Sequence, residues 1–342
     1  MSKSTGIPLS VLDLAHVVNG STSAQALRDS ADLARKAESL GYVRFWVAEH
    51  HGAPGVASAS PAVLAAHLAG LTTNLRVGSG GVMLPNHPPL VAAEQFGTLE
   101  ALHPGRIDLG IGRAPGGDPV TARALRRPAP GSEDYEGQLT ELIGYFDTPE
   151  ERGRAPRIAA TPATGNRPDV WLLGSSSASA ALAGRLGLPF AYAYHYNPAG
   201  TNVALAAYRQ SFQPSAHRDR PYALIAALVI VADSDEEAAR LAAPNGLNFL
   251  RYQVGDTREF PSTEEAAAHP YTPAQRAAIK ALLAPQLIGS PGTVRSRTAE
   301  VLAQSGADEL MALTMLSEAE ASLRSHELLA EALSTVSPVA VS

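Results

Sequence analysis

Short apolar runs alternate with amphipathic helical stretches along nearly the whole chain, and this alternation constrains the fold more than any other feature. Strand-like runs separated by helical patterns are the signature of β/α units feeding a parallel sheet. Eight such pairs are read, with strand segments at 8–14, 45–50, 75–85, 106–112, 170–176, 190–196, 222–232 and 308–316. The first helix shows the logic: Leu27, Ala31, Ala34, Ala37 and Leu40 recur at helical spacing, and Gly41 stands where a C-cap glycine belongs. Ser60 is placed to cap the second helix, with Pro61 at its first position. Eight pairs without a compositional break predict an α/β fold: one closed (β/α)8 TIM barrel spanning residues 1–342 as a single domain. An open doubly wound sheet is the competing arrangement.

Four segments fall outside the regular pattern. Residues 148–168 read as a loop or hairpin, and a further helix at about 293–305 precedes the last strand. The stretch 253–272, between the seventh and eighth units, carries Pro261 and Pro270 and is too long for a routine barrel connection, so it is read as a lid insertion. Residues 334–342 read as a loose tail.

The chain is 45% hydrophobic and 18% charged, with a net charge of −6 and no block of like charges. That balance disfavours nucleic acid or an anionic membrane as partner and leaves small molecules. The absence of cysteine excludes disulfides, Cys-ligated zinc, iron–sulfur clusters and thiol nucleophiles, so redox chemistry would need a cofactor. No apolar signal segment opens the sequence, and the longest apolar run, 223–232, is about half of the roughly 20 residues a membrane span needs. A cytoplasmic location is expected.

In a barrel the chemistry sits where strands pass into their following loops. "FWVAEHH" ends in Glu49, His50 and His51, and strand alternation points one of the two histidines at the mouth. The competing readings are a backbone-bonded strand end or a metal site. Metal is not predicted, because the first strand ends in "VLDLAH" without His-x-His and no second His/Asp pair falls in register at strands five or six. "GSGGVMLP" places Gly80 and Gly81 within a strand, which suggests close approach to a flat ligand or, alternatively, a β-bulge. "GIGRAPGGD" presents Arg113, and "GSSSASAALAG" presents Ser175, Ser176 and Ser179 at a helix start. The serines are either simple caps or, with Arg113, a phosphate cradle. No full G-x-G-x-x-G appears, which weakens a dinucleotide site. Tyr192, Tyr194 and His195, with Tyr196, read as pocket lining or as core packing.

Three of these blocks together resemble the luciferase-like flavin-dependent monooxygenases: "FWVAEHH", "VGSGGVMLPNHPPLVAAEQ" and "GRIDLGIGRAPG". By that resemblance His50 matches the catalytic histidine. Ser79, Gly80 and Gly81 match the flavin-contacting strand, with a cis peptide between the glycines, and Arg113, Ser175, Ser176 and Ser179 match the phosphate site. Glu49, Tyr192, Tyr194 and His195 are expected to line the substrate pocket, the aromatics being read from the residues themselves and not from the resemblance. The resemblance implies reduced FMN from a separate flavin reductase, dioxygen as oxidant, a flavin 4a-hydroperoxide that oxygenates an organic substrate, and a homodimer. Related barrels use a deazaflavin coenzyme for hydride transfer, and others bind flavin without catalysis; these are the alternatives. "GIGRAPG" is similar to the subgroup that includes oxygenases of aromatic polyketide antibiotic pathways, such as the mensacarcin pathway. Gly112 stands where bacterial luciferase has a cysteine, and the luciferase pocket aromatics are not reproduced, which argues against an aldehyde substrate and light emission.

Overall fold

A computed structural model describes residues 6–114, 118–127, 134–153 and 158–334. Among the described residues nine strands form in chain order: β1 (Leu9–Asp13), β2 (Arg44–Val47), β3 (Arg76–Met83), β4 (Ile107–Gly112), β5 (Asp169–Gly174), β6 (Phe190–Tyr192), β7 (Ala223–Val231), β8 (Leu287–Gly289) and β9 (Glu309–Leu313). Pairing runs in parallel from β1 through β7, then from β7 to β9 and from β9 back to β1, so eight strands close a barrel surrounded by helices. β8 is not a stave; it extends the sheet beside the last residues of β7, Leu287–Gly289 against Val229–Val231.

The eight staves coincide with the expected strand segments, but three stop three or four residues early, β2 at Val47, β6 at Tyr192 and β9 at Leu313. After β2 the chain turns away, with His50 N–H donating to Ser58 O, and after β6 it folds into a turn, with Tyr194 N–H donating to Tyr192 O and Tyr196 N–H to Ala193 O. Residues 253–272 contain a short helix, Thr263–Ala268, and are followed by an unanticipated helix, Pro273–Leu283. The second helix half-buries Ala278, Ile279, Leu282 and Leu283 at helical spacing, an apolar face that the reading of 253–272 as one lid passed over. Its start was legible in Thr272 and Gln275, which form a capping box. Within 148–168 a four-residue helix, Pro149–Arg152, takes the place of a hairpin arm; 154–157 lie outside the described residues. Of the expected tail, Ser334 caps the helix Ala319–Leu333 and 335–342 lie outside the described residues. No helix among the described residues is long and apolar enough to cross a membrane.

Alternation divides each stave. Val11, Phe45, Val77, Leu109, Leu172, Ile225 and Ala312 belong to the large core shared with the helices, whereas Leu12, Trp46, Trp171, Leu224 and Met311 form a separate apolar cluster. Trp46 and Trp171 meet edge to face, centroids 5.2 Å apart. Toward the amino ends of the strands this filling turns ionic. Arg44 Nη1 lies 2.6 Å from Asp108 and its Nε 2.8 Å from Glu309, with all three residues buried. Trp46 Nε1–H and Arg76 also donate to Asp108, and the Ser10 and Tyr222 hydroxyls donate to Glu309. The Arg44 guanidinium stacks 4.6 Å from the Trp171 ring centroid. Burial alone would lower the Arg44 pKa; Asp108 and Glu309 more than offset it and hold the pKa above its ordinary value.

Candidate active site

The candidate residues come together on one rim because the staves that carry them are consecutive. Val47 pairs with Ser79, Met83 with Gly112, Ile111 with Leu172 and Gly174 with Tyr192. His50 therefore follows β2, Gly80 and Gly81 lie in β3, Arg113 follows β4, Ser175–Ser179 follow β5 and His195 follows β6. All face the carboxyl end of the barrel.

His50 is largely buried, and its Nδ1 has no hydrogen-bond partner among the described residues. Burial pushes its pKa below the ordinary imidazole value; neighbouring His51 adds to this and Glu49 opposes it. The result is a neutral imidazole at pH 7 with a buried nitrogen lacking a partner, an arrangement suited to taking or returning a proton.

The Gly80–Gly81 peptide bond is cis. Neither glycine has room for a side chain. A Cβ on Gly80 would meet Leu12 Cδ1 at 2.7 Å and Trp46 at 3.1 Å, and one on Gly81 would meet Gly110 O at 2.7 Å. The β-bulge alternative holds, since the β3–β4 register shifts between Gly80 and Val82, and what approaches the two glycines closely here is the neighbouring staves. Ser79 is fully buried and its hydroxyl donates to Gly110 O, so it ties two staves.

Ser176 caps the helix Ser177–Arg185, its hydroxyl accepting from Ser179 N–H, while the Ser179 hydroxyl donates to Ser176 O. The first amides of that helix remain at an exposed turn, where the helix end favours an anion. Ser175 O accepts from Asn197 Nδ2 at 3.0 Å, which fastens this turn to the β6 loop. Arg113 is exposed.

Part of the expected pocket lining is placed otherwise. Tyr192 and Tyr194 are buried in the core shared with the helices, and their hydroxyls donate to the carbonyls of Asn197 and Pro285. The core-packing alternative thus describes both. Glu49 is fully buried, with its carboxylate taken up by the loop after β3. His195 stays at the rim: its Nδ1–H donates to Ala226 O at 2.8 Å, which leaves Nε2 with its lone pair, and burial lowers its pKa. Two roomy clefts lie off this rim. One, of about 640 Å³, is lined by Arg76, Arg167, Asp169 and Arg218 at the amino end of β5; the other, of about 680 Å³, lies between the helices Ser23–Ser39 and Pro61–Leu71.

Across residues 7–309 the sequence matches the family described as luciferase-like monooxygenase. The chain belongs to that family. A luciferase-like monooxygenase of Escherichia coli K12 is 44% identical over 323 residues, 94% of this chain and 96% of that one. The N-acetyl-S-alkylcysteine monooxygenase of Bacillus subtilis is 40% identical over 212 residues, 60% of this chain and 62% of that one. The crystal structure of apo-MsnO8 superposes with a TM-score of 0.87 at 39% identity, covering 97% of this chain and 100% of that one. Membership in the luciferase-like family gives the rim its context: the blocks that carried the resemblance are the segments that meet there. Asn86, His87 and Asn197, which tie the rim together, were passed over in the sequence. The first two lie within the block "VGSGGVMLPNHPPLVAAEQ", where a polar pair just before a helix was the available signal.

Proposed function

We propose that the protein is a two-component flavin-dependent monooxygenase that takes reduced FMN from a separate reductase and oxygenates an organic substrate. The observation that carries this reading is the orphaned Nδ1 of His50 on the stave beside the side-chain-free Gly80–Gly81 step. The residues suit FMN in chemistry. A glycine floor admits a flat ring system, and a serine-capped helix start with Arg113 one strand away suits a phosphate.

FMN, when bound in reduced form, supplies the electrons that divide dioxygen between substrate and water. His50 holds or releases the proton at Nδ1 that this division requires, and its lowered pKa keeps it a base at neutral pH. His195 offers a second lone pair, at Nε2, to orient substrate. Segment 253–272 shields the rim in this reading. Its support is that Phe260 N–H donates to Val17 O, Asn19 N–H to Phe260 O and Gly55 N–H to Thr257 O, so the segment is fastened to the loops after β1 and β2. The same reading carries a single barrel domain, a cytoplasmic homodimer and a substrate that is a polycyclic aromatic or, by likeness to the Bacillus subtilis relative, an S-alkylated N-acetylcysteine.

The test supplies the protein with FMN, a flavin reductase, NADH and ¹⁸O₂, and follows both substrate classes by mass spectrometry. One ¹⁸O atom in the product and binding of FMN support the proposal. A protein that binds no FMN, or that binds deazaflavin and transfers hydride without oxygen, refutes it.

A further inference from the structure

Glu49 is fully buried, and a buried carboxylate is tolerated only when hydrogen bonds replace its water. Its Oε1 accepts from His51 Nε2 and His87 Nε2 at 2.9 Å and from Asn86 Nδ2 at 3.0 Å, while Oε2 accepts from Met83 N–H at 3.0 Å. Burial would raise its pKa; the bonds from His87, Asn86 and the Met83 amide more than offset that and hold it below the ordinary carboxylate value. His87 Nε2 also lies 3.0 Å from Oε2, so each oxygen already accepts at least two bonds and Glu49 has no free lone pair to offer substrate. Its bonds instead join two separate segments. One carries His50 after β2; the other, Met83–His87, begins two residues after Gly81. No slack exists between these staves, since a single added Cβ on Gly80 would meet Trp46.

We infer that Glu49 is a positioning residue: it clamps the Met83–His87 turn to the strand end that bears His50, so that the imidazole and the Gly80–Gly81 step are held as one unit. The inference concerns the site assigned above to flavin, but the clamp is read without flavin.

Glu49→Gln keeps the side-chain volume and turns one acceptor oxygen into a donor, which then faces either the Met83 amide or the histidines. In the full chain we expect amide exchange at Met83, Asn86 and His87 to quicken by about 10-fold or more, the scale of a lost charge-assisted bond, with exchange in β6 and β7 unchanged. By NMR the His50 titration midpoint should rise toward about 6.5 as water reaches the ring. Loss of the neighbouring negative charge alone would move that midpoint down, so its direction separates positioning from simple electrostatics. Exchange within twofold of the parent, or a midpoint that falls or stays, overturns the inference. Should Glu49→Gln fail to fold, His87→Ala removes one clamp bond and is judged by the exchange readout, because Glu49 keeps its charge. If the parent protein binds no FMN, the functional proposal fails while these two readouts still decide the role of Glu49.

Discussion

Two sets of buried polar groups at opposite ends of the barrel, the Arg44 network and His50, are held on opposite terms. At the amino end Arg44, Asp108 and Glu309 are each met by opposite charge and by further donors or acceptors. At the carboxyl end His50 keeps a buried nitrogen without a partner, and glycines replace side chains in β3. A satisfied network fixes one packing arrangement; an unsatisfied group costs stability and is retained where chemistry uses it. The contrast teaches where stability and reactivity reside in one stack of side chains, and it yields graded expectations.

The largest effect should come from breaking the satisfied end. Arg44→Leu leaves, among the described residues, Glu309 buried without a cation and Asp108 with Arg76 alone, and should cost about 3–5 kcal/mol, measured by urea unfolding. His50→Ala should lower turnover by about 10²–10⁴-fold while folding stability stays within about 1 kcal/mol, because it deletes an unpaired group. A comparable loss of stability in both variants would erase the distinction between the ends.

The helix layer, outside both ends of the barrel, adds a titration against which the comparison is read. His326 lies fully buried beside Tyr42, its Nε2 has no partner among the described residues, and burial pushes its pKa down to about 4. Because the unfolded chain binds this proton more readily, near pH 6.5, the contribution is full above about 6.5 and is lost as pH falls to about 4. Its size is on the order of 3 kcal/mol. Unfolding free energy measured across that window should fall with acidification, and His326→Phe should flatten that share of the slope. The smallest effect should be Ser176→Ala, which removes a helix cap at a cost of about 1 kcal/mol and weakens FMN more than riboflavin, since riboflavin has no phosphate.

Local pattern made the staves legible, and the ends of those staves marked Gly80–Gly81, His50 and Ser176 before any coordinates. Parity within short strands was not legible. β6 is three residues long, and whether Tyr192 faces the helices or the barrel depends on register against β5 and β7. Long-range partners were equally hidden: Arg44 meets Asp108 64 residues away and Glu309 265 residues away, and Glu49 meets His87 38 residues on. Each of these residues looks like an ordinary charge on its own strand, and closure of the barrel alone brings it to its partner.

Hydrogen–deuterium exchange of the whole protein with and without FMN tests the central claim most directly. Protection confined to residues 50–51, 80–87, 113–114 and 174–179, with the Arg44–Asp108–Glu309 network and the cleft around Arg167 and Arg218 unchanged, is the predicted result. Absence of protection at the rim, or protection centred on that amino-end cleft, would contradict the account.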